Sequence, residues 1–122
     1  MHKILIVDDD KDMCKIISTV LTQEGYEVYI VFDGEQAIKK IKAKKINLVI
    51  LDLRLLNNMD GIEILQKIRN MGISINVMMI SAYGNDLIKS QAKKLGVDQF
   101  LGKPFNLNKL IKIVKNTVSK LE

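Results

Sequence analysis

The sequence predicts a three-layer α/β/α sandwich built on a five-stranded parallel sheet of order 2-1-3-4-5. Three observations carry the prediction. Five short apolar runs occur at residues 4–7, 28–32, 48–51, 77–80 and, more weakly, 100–101; a stretch with helical apolar spacing follows each; and Gly25, Gly72 and Gly96 end three of those stretches just before the next run. Alternating strand and helix implies right-handed crossovers and a sheet covered on both faces.

The elements follow in order. The first run, "ILIV", is unbroken and reads as a fully buried strand. Asp10 is placed to cap the helix that follows, whose apolar period is Met13, Ile16, Ile17, Val20 and Leu21. The second run sits among Glu27 and Tyr29, which suits a sheet edge, and leads to a helix marked by Ala37, Ile38 and Ile41. The third and fourth runs are uniformly apolar and therefore central, and their helices carry Ile62, Leu65 and Ile68, then Ile88, Ala92 and Leu95. The fifth run is short and belongs at the other edge; it precedes a long helix with Leu107, Leu110, Ile111, Val114, Val118 and Leu121.

Bulk properties narrow the function. A chain of 122 residues fits one domain spanning 1–122, and 48% hydrophobic with 27% charged residues is a soluble mixture. No apolar run is long enough for a membrane span, and no charged-then-apolar leader precedes the first strand, so a cytoplasmic protein is expected. Cys14 and His2 each stand alone, which excludes a disulfide framework and a zinc site. The net charge of +5 comes from spread lysines, among them Lys39, Lys40, Lys42, Lys44 and Lys45, read as solvated helix faces; with 5% aromatics and no arginine cluster, direct nucleic-acid binding is not expected.

In a sheet of this order the functional crevice lies beyond the carboxyl ends of the strands. Asp8 and Asp9 follow the first strand, Asp52 the third, Ser81 the fourth, and Lys103 stands shortly after the fifth. Singly, each has an ordinary use as a cap, a turn residue or a loop residue. Together, three carboxylates crowded at one edge require a cation, and Mg²⁺ suits a site with few carboxylates and several waters. Asp52 is the best placed nucleophile toward phosphorus, with Lys103 and Ser81 to meet the phosphoryl oxygens and Ala82 small enough to admit the group.

These residues resemble the receiver domain of bacterial two-component response regulators, the CheY-like family with its flavodoxin-like fold, over the entire chain. "VDDD" at 7–10, "LVILDLR" at 48–54, "MDGIEIL" at 59–65, "ISAYG" at 80–84 and "KPF" at 103–105 match its landmarks in order and spacing. The resemblance implies that Asp52 is the phosphoacceptor and also a metal ligand. Asp9 then ligates Mg²⁺ directly, Asp8 acts through water, and the carbonyl of Arg54 completes the protein ligands. It implies a cis Lys103–Pro104 bond and an aromatic switch at Phe100, working with Ser81. It also implies a histidine kinase or histidine phosphotransfer protein as donor, and an effector or a second copy met through the fourth helix, fifth strand and fifth helix. Such a chain catalyses its own modification and is not an enzyme for external substrates.

Departures from the family pattern modify these expectations. Leu56 stands where the family has proline, and Gly61 lies nine positions after Asp52, so the loop is longer by a residue. Gly102 is expected to loosen the approach to Lys103. Arg54 and Tyr83, two beyond Asp52 and Ser81, carry no group suited to orienting water, which predicts slow hydrolysis of the phosphorylated form. Cys14, Ile17 and Leu21 are candidates for a donor docking face, with core packing as the competing use of Ile17 and Leu21. A flavin or nucleotide binder is disfavoured because three acids would repel the ligand's phosphates, and an aspartate phosphohydrolase wants an acid where Arg54 stands. A degenerate receiver acting without phosphorylation remains the alternative.

Overall fold

In the computed structural model, which describes residues 1–53, 60–81 and 86–120, strands and helices alternate through the chain. The strands are β1 (Lys3–Val7), β2 (Glu27–Val31), β3 (Leu48–Asp52), β4 (Asn76–Ser81) and β5 (Val97–Gly102). The helices are α1 (Lys11–Gln23), α2 (Gly34–Ala43), α3 (Gly61–Asn70), α4 (Asp86–Lys94) and α5 (Leu107–Ser119). All strand pairs are parallel and the order is β2-β1-β3-β4-β5.

Alternation along the central strands divides the core in two. Leu5, Val7, Val49 and Leu51 face Ala37 and Ile41 of α2 and Ile64, Leu65 and Ile68 of α3. Ile4, Ile6, Leu48 and Ile50 face Cys14, Ile17 and Leu21 of α1 and Leu110, Val114 and Val118 of α5. Each fully buried aliphatic side chain of this kind contributes about 1.5–3 kcal/mol, so these two layers dominate the stability. Caps set the helix starts: Asp10, Asp33 and Asp60 accept from the backbone N–H three residues on, and Asn106 accepts from Asn108 and Lys109. Gly25, Gly72 and Gly96 have φ of +94°, +77° and +81°, the left-handed geometry that stops a helix at low steric cost.

Three expectations are corrected. The fifth strand is not short: it begins at Val97 and is six residues long. Val77 pairs with Val97 and Met78 with Gln99, so Asp98 bulges out of register, and its carboxylate accepts from the Val77 N–H at 3.2 Å. That polar bulge interrupts the apolar pattern on which the sequence reading relied. Asp52 and Ser81 are the last residues of β3 and β4 rather than the first beyond them, because Asp52 still pairs with Ile80 and Ser81 with Gly102. Lys44 and Lys45 do not lie on a helix face: α2 ends at Ala43, and Lys44 is already extended at φ −126° and ψ 153°. Leu121, expected within the last helix, lies outside the described residues.

Arg69, on the last turn of α3, ties the connection after α3 to the connection after α4. Its Nε donates to the Leu95 carbonyl at 2.7 Å, Nη1 to Ile73 at 3.1 Å and Nη2 to Gly96 at 3.2 Å. Those carbonyls terminate α4 and follow α3, where a helix leaves acceptors without internal partners. Arg69→Ala is expected to lower stability by about 2 kcal/mol, measured by urea unfolding. Arg69→Lys keeps the charge without the planar fork and should recover only part of that loss.

Candidate functional site

The carboxyl edge of the sheet brings Asp8, Asp9, Asp52, Ser81 and Lys103 into one crevice. Asp8 follows β1 directly and is 3% exposed, Asp52 ends β3 at 6% and Ser81 ends β4 at 4%. Carboxylate oxygens of Asp8, Asp9 and Asp52 lie within 4.8 Å of one another. The Lys103 ammonium reaches in from beyond β5, donating to Asp52 Oδ2 at 2.9 Å and standing 3.7 Å from Asp8 Oδ2.

Backbone contacts hold each group in place. The Asp8 N–H donates to Val31 at 3.2 Å, and Asp8 Oδ1 accepts from the Asp10 N–H at 3.0 Å, so the turn into α1 aims the carboxylate. Beneath it the Cys14 thiol donates to the Asp8 carbonyl at 3.2 Å, and burial together with the neighbouring acids pushes that thiol to about 12. The Lys103 N–H donates to the Ser81 carbonyl at 2.9 Å, and the Lys103–Pro104 bond is cis, as the resemblance implied. Gly102 pairs with Ser81 in β5, and a Cβ there would make only ordinary contact, at 3.9 Å, with the Ser81 carbonyl.

Gly61 is a positioning residue that the motif contained but sequence reasoning did not interpret. A Cβ at 61 would stand 2.7 Å from the Asp52 carbonyl oxygen and 2.8 Å from the Leu53 Cα. The first turn of α3 therefore lies directly against the end of β3, and the Gly61 N–H donates to the Leu53 carbonyl at 2.8 Å.

The electrostatics are those of too many acids for the available cation. Burial is the largest influence on Asp8 and raises its pKa from 3.8 to about 6; the Asp52 charge adds to the rise, while the Asp10 N–H and the Lys103 ammonium oppose it. Burial also works against the Lys103 charge, but its hydrogen bond to Asp52 and the charges of Asp52, Asp8 and Asp10 outweigh it, so its pKa lies above the ordinary lysine value. Asp52 and Asp8 face this ammonium, and with Asp9 their hard oxygens form a partly buried cluster, the donor set a small divalent cation prefers. The residues present fit such an ion.

Other expected site residues fall differently. Phe100 is half-buried on β5, packed on the α2, α3 and α4 side of the core, with the Lys89 ammonium 5.7 Å from its ring centroid. Arg54, Leu56, Met59, Ala82 and Tyr83 lie outside the described residues. Cys14, Ile17 and Leu21 do not form a docking face, because all three are at most 1% exposed and turned into the sheet. Ile16, one position off that face, is 47% exposed instead, beside Met13, Pro104, Phe105 and Leu107 in a groove of about 430 Å³ that Lys103 also lines.

Comparison with known proteins agrees with this arrangement. Residues 4–115 match the family model of the response regulator receiver domain. The regulatory protein VanRc of Enterococcus gallinarum is 36% identical over 121 residues, covering 99% of this chain and 52% of that protein. The CpxR homolog of Haemophilus influenzae, a transcriptional regulatory protein, is 37% identical over 115 residues, covering 94% of this chain and 49% of that one. The chain thus spans about half the length of these relatives, and 27% of the nitrogen assimilation regulatory protein NtrX of Azorhizobium caulinodans, at 36% identity over 121 residues. The receiver domain of the Francisella response regulator 1452 superimposes with a TM-score of 0.92 at 29% identity over all of both chains. With its strand order, its acidic crevice and these matches, the chain belongs to the response regulator receiver domain family of two-component signalling.

Proposed function

We propose that Asp52 accepts a phosphoryl group from a phosphohistidine on a histidine kinase or phosphotransfer protein, and that the modified domain switches a protein-interaction surface. The observation that supports this reading is the approach of Lys103 Nζ to 2.9 Å from Asp52 Oδ2 within a cluster of three carboxylates. An Asp52 carboxylate oxygen attacks phosphorus as the phosphorus–nitrogen bond of the donor breaks, and the imidazole leaves with its electron pair. Asp8, Asp9 and Asp52, with the Arg54 carbonyl by family resemblance, would hold Mg²⁺, and the ion when bound would supply neutralisation of the phosphoryl oxygens. Lys103 pairs with one phosphoryl oxygen, and the Ser81 hydroxyl donates to another.

The added charge of nearly two draws Ser81 toward the phosphoryl group and lets Phe100 turn inward, biasing the face of α4, β5 and α5 toward an effector or a second copy. The donor approaches beside Ile16 and Pro104, whose apolar groove adjoins Lys103. The chain modifies itself once per phosphoryl group rather than turning over an external substrate, and it acts in the cytoplasm. No helix among the described residues is long and apolar enough to cross a membrane.

Incubation with acetyl phosphate and Mg²⁺ should add the mass of one phosphoryl group, mapped by peptide analysis to Asp52, and a chelator should prevent it. A label on another side chain, or none on a folded protein, overturns the reading in favour of a receiver that works without phosphorylation.

A further inference from the structure

At the end of the sheet opposite the acidic crevice, the connection from α2 to β3 runs beside the connection from α3 to β4, leaving a groove of about 500 Å³. Its floor is aliphatic: Ile73 is half-buried, and beneath it Ile41, Ile46 and Ile75 belong to the core and are 7–8% exposed. Lys42, Lys44 and Lys45 line it as well, all exposed, and among the described residues no carboxylate does.

Lysines near helix ends have an ordinary use, offsetting the partial negative charge of the last turn. The magnitudes decide how far that goes. Helices α2 and α3 both end at this edge, and each carboxyl terminus carries about half a negative charge. Three lysines exceed that sum by about two positive charges, before Lys40, Lys67 and Arg69 in the last turns are counted. The Lys44 ammonium also stands 5.8 Å from the Tyr29 ring centroid, a contact that leaves its charge in place.

We propose that this groove is a docking site for an acidic peptide segment of another protein, one that alternates carboxylates with aliphatic side chains. The isoleucine floor takes the aliphatic groups and the lysines take the carboxylates. A nucleic acid fits less well, because among the described residues no aromatic ring lines the groove for a base to stack on. The volume lies within the range of ordinary binding clefts, about 300–1,000 Å³. The site stands apart from Asp52, so the proposal holds or fails independently of phosphorylation.

The test uses a fluorescein-labelled peptide of alternating glutamate and leucine. Two control peptides replace glutamate by glutamine, or leucine by serine. Binding is followed by anisotropy and by amide shifts in the ¹⁵N-labelled protein. The expected result is shifts centred on residues 44–47 and 73–76. Affinity should fall about tenfold or more in the Lys42→Glu, Lys44→Glu, Lys45→Glu variant, and change less than about twofold in Lys109→Glu, Lys112→Glu, which alters exposed lysines of α5. All five lysines are exposed, so both variants should fold. The proposal is overturned by equal loss in the two variants, by equal binding of the serine-containing peptide, by shifts elsewhere, by tighter binding of single-stranded DNA at the same residues, or by no binding at millimolar peptide.

Discussion

Asp52→Asn is expected to abolish labelling by acetyl phosphate while leaving the fold intact. The asparagine nearly matches the shape of the aspartate, so the packing at the end of β3, where Asp52 is 6% exposed, changes little. It lacks the anionic oxygen that, on the proposed reading, forms the acyl phosphate. Lys103→Gln should instead slow labelling about 100-fold without redirecting it, because on the same reading the residue neutralises charge at the phosphoryl oxygens and does not itself bond to phosphorus. The pair of variants separates acceptor from stabiliser in a time course of intact mass, and persistent labelling of Asp52→Asn at the wild-type rate would refute the assignment.

The pH dependence of stability should show the strain of the acidic cluster. Asp8 has its pKa raised to about 6 in the fold from 3.8. The folded state therefore holds the proton more tightly than the unfolded chain, and Asp8 contributes stability that is fully present below 3.8 and lost as pH rises through 6. The corresponding free energy is about 3 kcal/mol. Asp8→Asn retains an acceptor for the Asp10 N–H and carries no charge, so it should be more stable than the wild type at pH 8 by about that amount and nearly equal to it near pH 4. Urea unfolding at the two pH values measures the difference. Millimolar Mg²⁺ should recover much of the wild-type loss at pH 8 and do less for the variant; a wild type no more pH-sensitive than Asp8→Asn would contradict this account.

The legible parts of the molecule were those governed by periodicity and by strand topology. Uniformly apolar runs at 4–7, 48–51 and 77–80 identified the central strands, and the order of the sheet then brought Asp8, Asp9, Asp52, Ser81 and Lys103 together although they are far apart in the chain. The start of β5 was hidden because Asp98 and Gln99 interrupt its apolar pattern, and the bulge that accommodates them depends on a side-chain bond to Val77 across the sheet. The positions of Lys44 and Lys45 were missed because no glycine or proline marks the end of α2. Arg69 was invisible for another reason: its partners are main-chain carbonyls as far as 27 residues away, and a carbonyl has no signature in the sequence. On α1 the apolar set was right in kind but one residue too wide, since Ile16 points away from the sheet that buries Ile17.

The bond from the Gly61 N–H to the Leu53 carbonyl sets the two ends of the intervening segment at a constant separation. With the first turn of α3 that close to Asp52 and Leu53, any side chain at 61 would push directly on the end of β3.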